Sequence, residues 1–96
     1  IIHKMSLGGY SEIPVEAAHQ AYVDGHLAAL NAKIGGTEAH WKVDKAWRQT
    51  VAGVNYFVHL TSDTGKHAHA RFYVALGGDA AELSDAGEGL EEPHTH

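Results

Sequence analysis

Residues 55–62 and 67–76 alternate between apolar and polar side chains, and this alternation constrains the fold of the chain most. In the first stretch the two parities carry Tyr56, Val58 and Leu60 against Phe57, His59 and Thr61. In the second stretch one parity is apolar (Ala68, Ala70, Phe72, Val74, Leu76) and the other is mainly polar (His67, His69, Arg71, Tyr73). A period of two is typical of antiparallel strands with one buried face. The residues between them, Ser62-Asp63-Thr64-Gly65-Lys66, favour a turn that sets His59 opposite His69.

A helical stripe precedes these strands. Apolar side chains recur there at spacings of three and four, at Tyr22, Val23, Leu27, Leu30 and Ile34. Pro14 suits a first helical turn and Gly35-Gly36 suits a helix end, so we predict one long helix over residues 14–34. One long helix followed by hairpins predicts an α+β fold in which the helix covers the apolar face of an antiparallel sheet.

The rest of the chain is less regular. A further strand is predicted over residues 40–50, where Trp41, Val43 and Trp47 share a parity that Lys45 interrupts. Residues 1–13 contain Gly8-Gly9 without periodicity and are predicted to form a flexible arm. Residues 80–96 are small and acidic, which leaves an edge strand and a disordered tail as alternatives. The length of 96 residues predicts a single domain over residues 1–96.

Composition excludes several classes of function. Seven Lys and Arg against twelve Asp and Glu give a net charge of −5, and a nucleic-acid binder needs a basic stripe that this chain lacks. The apolar runs are far shorter than a membrane span, and no secretory signal pattern opens the chain. There is no cysteine, which fits a reducing compartment, so a cytoplasmic location is expected.

Chemistry of the usual catalytic kinds has little support. The chain has no nucleophile elbow, Walker loop or His-Glu-x-x-His motif, so it is not expected to be an enzyme or to need a cofactor. His59, His67 and His69 are weak candidates for a metal site, because cross-strand partners lie within reach of one ion. No carboxylate or thiol joins them, and this face of the sheet is expected to be open to solvent.

A small, uncharged segment lies between two predicted strands, with the sequence Gln49-Thr50-Val51-Ala52-Gly53. Such a segment favours a tight turn whose flat tip another surface can cover. It resembles the Gln-x-Val-x-Gly signature of the cystatin superfamily, whose members inhibit papain-like cysteine proteases. The residues that follow it, Val54-Asn55-Tyr56-Phe57, are similar to those of the disulfide-free branch of that family, the stefins.

The resemblance extends over most of residues 5–83. The segment Met5-Ser6-Leu7-Gly8-Gly9-Tyr10-Ser11-Glu12 resembles the Met-x-x-Gly-Gly-x-Ser-Glu opening of stefins, at a similar distance from Gln49. Tyr22-Val23-Asp24 is similar to a step in the stefin helix, and residues 71–76 resemble the strand before the family's second hairpin. Three separate likenesses in the right order are more specific than any one of them.

The resemblance implies a cystatin-like fold, in which an antiparallel sheet wraps a long helix, and a reversible, tight-binding inhibitor of papain-like cysteine proteases. The implied contacts come from the arm (Leu7, Gly8, Gly9), the first hairpin (Gln49, Thr50, Val51, Ala52, Gly53) and the second hairpin (Leu76, Gly77, Gly78). In the family this wedge fills the active-site cleft and forms no covalent bond. Gly53→Glu is expected to weaken protease binding by several kcal/mol, because a buried unpaired charge is costly, with little change in thermal stability.

Two departures from the family pattern shape the expectations. Stefins carry Leu-Pro in the second hairpin, whereas Gly77 follows Leu76 here, so stronger inhibition of papain and cathepsin L-type enzymes than of cathepsin B-type enzymes is expected. Asp44 and Lys45 stand where the family is more apolar, so the register there can be shifted. A monomer is expected, and a domain-swapped dimer can form if the hairpin opens at Val51. The alternative is a non-inhibitory binding module of the same fold that uses its His-rich sheet face for metal or protein.

Overall fold

The computed structural model of the chain describes residues 9–78 and 80–93. In chain order its elements are β1 (Ser11–Ile13), α1 (Ala17–Asp24), α2 (Leu27–Ile34), β2 (Trp41–Val51), β3 (Gly53–Ser62), β4 (His67–Ala75) and β5 (Ala81–Glu88). The strands form one sheet in the order β1-β2-β3-β4-β5, and every neighbouring pair is antiparallel. The predicted α+β class and the three central strands are confirmed.

The core lies between the helices and one face of the sheet. Its helical part comprises Val23, Leu30 and Ile34, which are all buried, and Tyr22 and Leu27 pack against it, so the predicted stripe is confirmed. Its sheet part is supplied by Trp41, Val43, Ala46, Val58, Leu60, Ala68, Ala70 and Phe72. In β3 the residues Val58 and Leu60 therefore face the helices. In β4 the apolar residues Ala68, Ala70 and Phe72 do so, as the alternation predicts.

The prediction of one long helix is wrong. The helical region begins at Ala17, three residues after Pro14, and it is interrupted between α1 and α2 at Gly25 and His26. The His26 ring bonds through Nδ1 to the Tyr22 carbonyl oxygen at 2.8 Å, and the His26 amide turns to Val23 instead. A side chain that bonds to a helical carbonyl oxygen competes with the backbone N–H group that would otherwise bond to it. Gly25, the preceding residue, lowers helix stability further.

The strand β2 changes its inward parity along its length. The pairing with β3 shifts between Val43 and Lys45, and Asp44 is the extra residue of a bulge. Before the bulge Trp41 and Val43 face the core, whereas after it Ala46 does. The prediction that Trp47 shares a face with Trp41 and Val43 is therefore wrong, because one inserted residue moves every later side chain to the opposite face.

A side-chain amide covers the edge of β2 where β1 ends. The strand β1 pairs only with residues 46–48 of β2. Further along that edge, the Gln20 Nε2 group donates to the Trp41 carbonyl at 2.8 Å, and Gln20 Oε1 accepts from the Val43 amide at 2.9 Å. Gln20 thus pairs with backbone groups on the part of the β2 edge that β1 leaves unpaired, as a strand would, and it fixes α1 to the sheet.

Both terminal regions contribute a strand. Of the predicted arm, residues 11–13 form β1, and Ile13 packs against the core. Of the acidic tail, residues 81–88 form the edge strand β5, whose Leu83 and Ala86 reach the core. Among the described residues, no helix combines the length and the apolar character that crossing a membrane requires.

The start of α1 depends on a neutral histidine. The Glu16 amide donates to Nδ1 of His19 at 2.9 Å, which satisfies one of the free N–H groups at the helix start. His19 is buried, and its ring lies 5.2 Å from that of Tyr56 between ring centroids. Burial lowers the pKa of His19 from its ordinary value, and the nearby Glu16 carboxylate opposes this shift in part.

This arrangement predicts an acid-sensitive contribution to stability. The unfolded chain takes up the His19 proton first as the pH falls, because the folded state holds the pKa of His19 below its unfolded value of about 6.5. The contribution is therefore complete above about pH 6.5 and is lost as the pH falls through the folded-state pKa. Urea unfolding at about pH 7.5 and about pH 5 should show a smaller loss of stability for His19→Gln than for the parent. An equal loss in both proteins would contradict the assignment.

Candidate functional site

Two turns lie side by side at one end of the sheet, and the N-terminal end of β1 points toward it. The turn between β2 and β3 lies beside the turn between β4 and β5, because Gly53 pairs with Ala75. Ser11 pairs with Arg48 in an antiparallel register, so the N-terminal end of β1 points toward the same end of the sheet. Gly9 is the first described residue of the predicted arm contacts, and Leu7 and Gly8 lie outside the described residues.

The first turn is very short. Val51 and Gly53 pair with each other, which leaves Ala52 alone at the tip. The Tyr73 hydroxyl of β4 donates a hydrogen bond to the Ala52 carbonyl oxygen and so holds the tip from the neighbouring strand. Thr50, Val51 and Ala52 are exposed there. The tip therefore presents small, uncharged side chains on a backbone held by two strands.

Gly53 occupies a position that admits no side chain. Its φ is +121°, and a Cβ atom built on it would lie 2.5 Å from the Val74 carbonyl oxygen and 2.8 Å from the Tyr73 hydroxyl. The expected close approach at this glycine is confirmed. This geometry changes the expectation for thermal stability: a side chain at Gly53 should lower it, because the clash is with the backbone of β4 within the folded chain.

Gln49 supports the first turn from within the sheet. Its side chain is buried, and its Oε1 accepts a hydrogen bond of 2.7 Å from Nδ2 of Asn55, its cross-strand partner. This amide pair ties β2 to β3 next to the tip. Among the residues of the first hairpin that the resemblance implies, Gln49 is thus part of the scaffold and Thr50, Val51 and Ala52 form its surface.

The second turn projects an apolar side chain into solvent. Leu76 is 84% exposed, and the turn closes through a 2.9 Å hydrogen bond from the Gly78 amide to the Ala75 carbonyl. Gly77 has a φ of +77°, a conformation that favours glycine. Leu76 and Val51 are two of the four large apolar side chains exposed among the described residues, and the turns that carry them are neighbours. Exposed apolar groups gathered at one place mark a candidate binding surface.

The face of the sheet that points away from the helices carries a cluster of aromatic rings, which we call the outer-face cluster. Its members are Tyr10, Trp47, Phe57, His59 and His69. The centroid distances are 6.1 Å for Tyr10–Phe57, 4.5 Å for Trp47–His59 and 5.7 Å for the stacked pair Phe57–His69. This cluster shares no member with the helix-side core.

The C-terminal segment covers the histidines of this cluster. His59 bonds through Nε2 to the Glu91 carbonyl oxygen at 2.7 Å, and His69 bonds through Nδ1 to the Gly89 carbonyl oxygen at 3.0 Å. The Glu91 carboxylate lies 3.7 Å from His69 Nε2. The expectation that this face is open to solvent is therefore wrong for His59 and His69, which are both 6% exposed.

The predicted pairing of His59 with His69 is confirmed, and His67 pairs with Thr61 on the same strands. His67 is exposed, and its Nδ1 lies 3.2 Å from the Thr61 hydroxyl. Within residues 9–78 and 80–93, no group of three or more His, Asp and Glu side chains is arranged to hold a metal ion. The three histidines therefore do not form a metal centre in this part of the chain.

In comparisons with known proteins, no family model and no curated protein matches this chain. Its function is therefore inferred from its own residues. One contributor to this end of the molecule, Tyr73, was not predicted as a site residue. The parity of β4 puts Tyr73 on the polar face, but only the register shows that its hydroxyl reaches the neighbouring turn.

Proposed function

We propose that the chain has a cystatin-like fold and acts as a reversible, tight-binding inhibitor of papain-like cysteine proteases. The observation that supports this most is that the first and second turns lie side by side at one end of the sheet, toward which the N-terminal end of β1 also points. The two turns, together with the arm that precedes β1 in the sequence, are the segments that the resemblance assigns to protease contact. The resemblance came from local motifs alone, whereas the placement of the two turns depends on long-range pairing, so the two arguments are independent.

The chemistry of this end suits the occlusion of a cleft. No charged residue occurs in residues 49–53 or 76–78, so burial of these turns leaves no unpaired charge. Val51 and Leu76 offer apolar area that is in water before binding. The first turn is already held by Tyr73, so little ordering is needed when it docks. In this mechanism the wedge blocks access to the catalytic thiol and no covalent bond forms.

The alternative, a non-inhibitory module that binds through its His-rich face, has less support. That face is covered by residues 89–91, and two of its three histidines donate hydrogen bonds to backbone carbonyl oxygens of this segment. A ligand at His59 and His69 would first have to displace it.

A titration of papain with the purified chain tests the proposal. We expect stoichiometric inhibition at neutral pH, and Leu76→Asp should weaken it strongly because the charge would be buried against the enzyme. Leu90→Asp is the matched control, since Leu90 is 50% exposed on the C-terminal segment, outside the two turns. Absence of inhibition at micromolar concentrations of chain, or equal effects of both variants, would contradict the proposal.

Selectivity follows from the second turn. Gly77 stands where stefins have a proline and Gly78 follows it, so this loop loses more freedom on docking and contributes less binding energy. Exopeptidases of the class carry extra loops that an inhibitor must displace. We expect inhibition of papain and cathepsin L-type enzymes to be at least about tenfold tighter than that of cathepsin B-type enzymes, or about 1.4 kcal/mol.

Inhibition constants measured for both enzyme types at one pH check this selectivity. Deleting residues 1–9 should widen the difference, because it removes one of the two stronger contacts. Equal constants for the two types would show that the glycine loop binds as well as the proline-containing version.

A further inference from the structure

One side chain of β4 connects the first turn to the strand that carries the second turn. Tyr73 pairs with Asn55 across the sheet, and its hydroxyl donates a hydrogen bond to the Ala52 carbonyl oxygen at the tip of the first turn. Leu76, the exposed side chain of the second turn, follows Tyr73 by three residues, directly after the end of β4. The same strand therefore holds the first turn and presents the apolar group of the second.

The register shows what this hydrogen bond adds to the sheet. The pairing of β3 with β4 begins at Gly53, opposite Ala75, so Ala52 lies one residue beyond the ladder that joins these strands. The Tyr73 ring lies close beneath the same place, because a Cβ built on Gly53 would be 3.0 Å from its Cε1 atom. The hydroxyl thus extends the connection with β4 from the paired backbone onto the tip itself.

We propose that Tyr73 is a positioning residue that fixes the first turn relative to the second, so that Val51 and Leu76 enter a protease cleft as one preformed unit. This inference rests on the proposed function, since it assigns the two turns to one contact. Two turns that are already aligned need not be ordered separately on binding, which lowers the entropic cost of the contact. The hydroxyl group carries this role, so Tyr73→Phe is the variant that tests it.

The first measurement does not involve a protease. In Tyr73→Phe, the backbone order parameters of residues 51 and 52 from nitrogen-15 relaxation should fall from about 0.85, typical of rigid backbone, to about 0.6 or below. Those in the middle of β3 should stay unchanged. Tyr56→Phe is the matched control, because it removes a hydroxyl from the neighbouring strand on the helix side, where the Tyr56 ring lies 5.2 Å from that of His19. Unchanged values at the tip of Tyr73→Phe would overturn the inference whether or not the chain inhibits proteases.

The second measurement is a double-mutant cycle on papain with Tyr73→Phe, Leu76→Ala and both together. Tyr73→Phe alone should raise the inhibition constant about five- to tenfold, the size expected for the loss of one hydrogen bond, and Tyr56→Phe should inhibit like the parent. In the Leu76→Ala background the same change should have an effect of about twofold or less, because the second turn then offers little contact with which the first must be aligned.

Equal factors in the two backgrounds would show that Tyr73 does not act through the relation between the turns, and they would also overturn the inference. Lack of inhibition by the parent chain would instead contradict the proposed function. The relaxation result would still decide whether the Tyr73 hydroxyl holds the tip.

Discussion

Replacing Gly53 by glutamate is expected both to abolish tight protease inhibition and to destabilise the protein. A Cβ at this position would lie 2.5 Å from the Val74 carbonyl, and its φ of +121° is one that other residues rarely adopt, so the first turn must move away from β4. Holding a residue with a side chain in such a sparsely populated backbone conformation costs about 1–3 kcal/mol, and the clash adds to it. The carboxylate would also be buried against the protease, so we expect inhibition to weaken by several kcal/mol.

Thermal unfolding and papain titration of the same variant separate the two effects. Gly65→Ala is the matched control, because Gly65 has a φ of +86° but its Cβ would meet nothing within 4 Å, in the turn at the other end of the sheet. It should lower stability by about 1 kcal/mol and leave inhibition unchanged. If Gly53→Glu inhibited papain like the parent, the first turn would not be part of the contact.

Replacing Phe72 by alanine is expected to produce the largest loss of stability, about 3–5 kcal/mol. Its side chain is completely buried, and its ring lies 5.9 Å from that of Tyr22 and 5.4 Å from that of His26. The substitution leaves a cavity between β4 and both sides of the helix interruption. Urea unfolding measures the loss, and papain titration well below the unfolding midpoint should show inhibition close to that of the parent.

Leu76→Ala is the converse variant on the same hairpin. Its side chain is 84% exposed, so its removal should change stability by less than about 0.5 kcal/mol. Inhibition should weaken, because under the proposed function this side chain is buried in the complex. A Phe72→Ala protein that is folded but inactive, or a Leu76→Ala protein of full activity, would contradict the division between scaffold and contact surface.

The secondary structure could be predicted wherever local pattern and tertiary environment agree. The alternation of β3 and β4 and the apolar stripe of the helices follow from burial of one face, which is a local property of the sequence. Two features did not follow from pattern. The helix interruption involves a hydrogen bond between the His26 ring and the Tyr22 carbonyl oxygen, and the bulge at Asp44 depends on the register with β3. Both involve competition between alternative hydrogen bonds, which periodicity does not record.

The candidate site was predicted as three sequence segments with one family resemblance. Only the structure shows which residues of these segments support the site and which form its surface. Gln49 is buried and bonded to Asn55, whereas Val51 and Leu76 face solvent. For the histidines, too, the sequence predicted the strand face but not the burial. The alternation correctly put His59 and His69 on one face, but an independent segment 20 or more residues later covers them, at Gly89 and Glu91.

The sequence by itself determined the α+β class, the strand faces and the short, uncharged first turn, because these depend on side-chain type and spacing within a few residues. Only the tertiary structure decided that the first and second turns lie side by side at one end, that the Tyr73 hydroxyl holds the first of them, and that Gly53 lies against Val74. Each of these is a contact between residues far apart in the chain. Such contacts are selected by the register and by the packing of the whole sheet, and no local spacing specifies them.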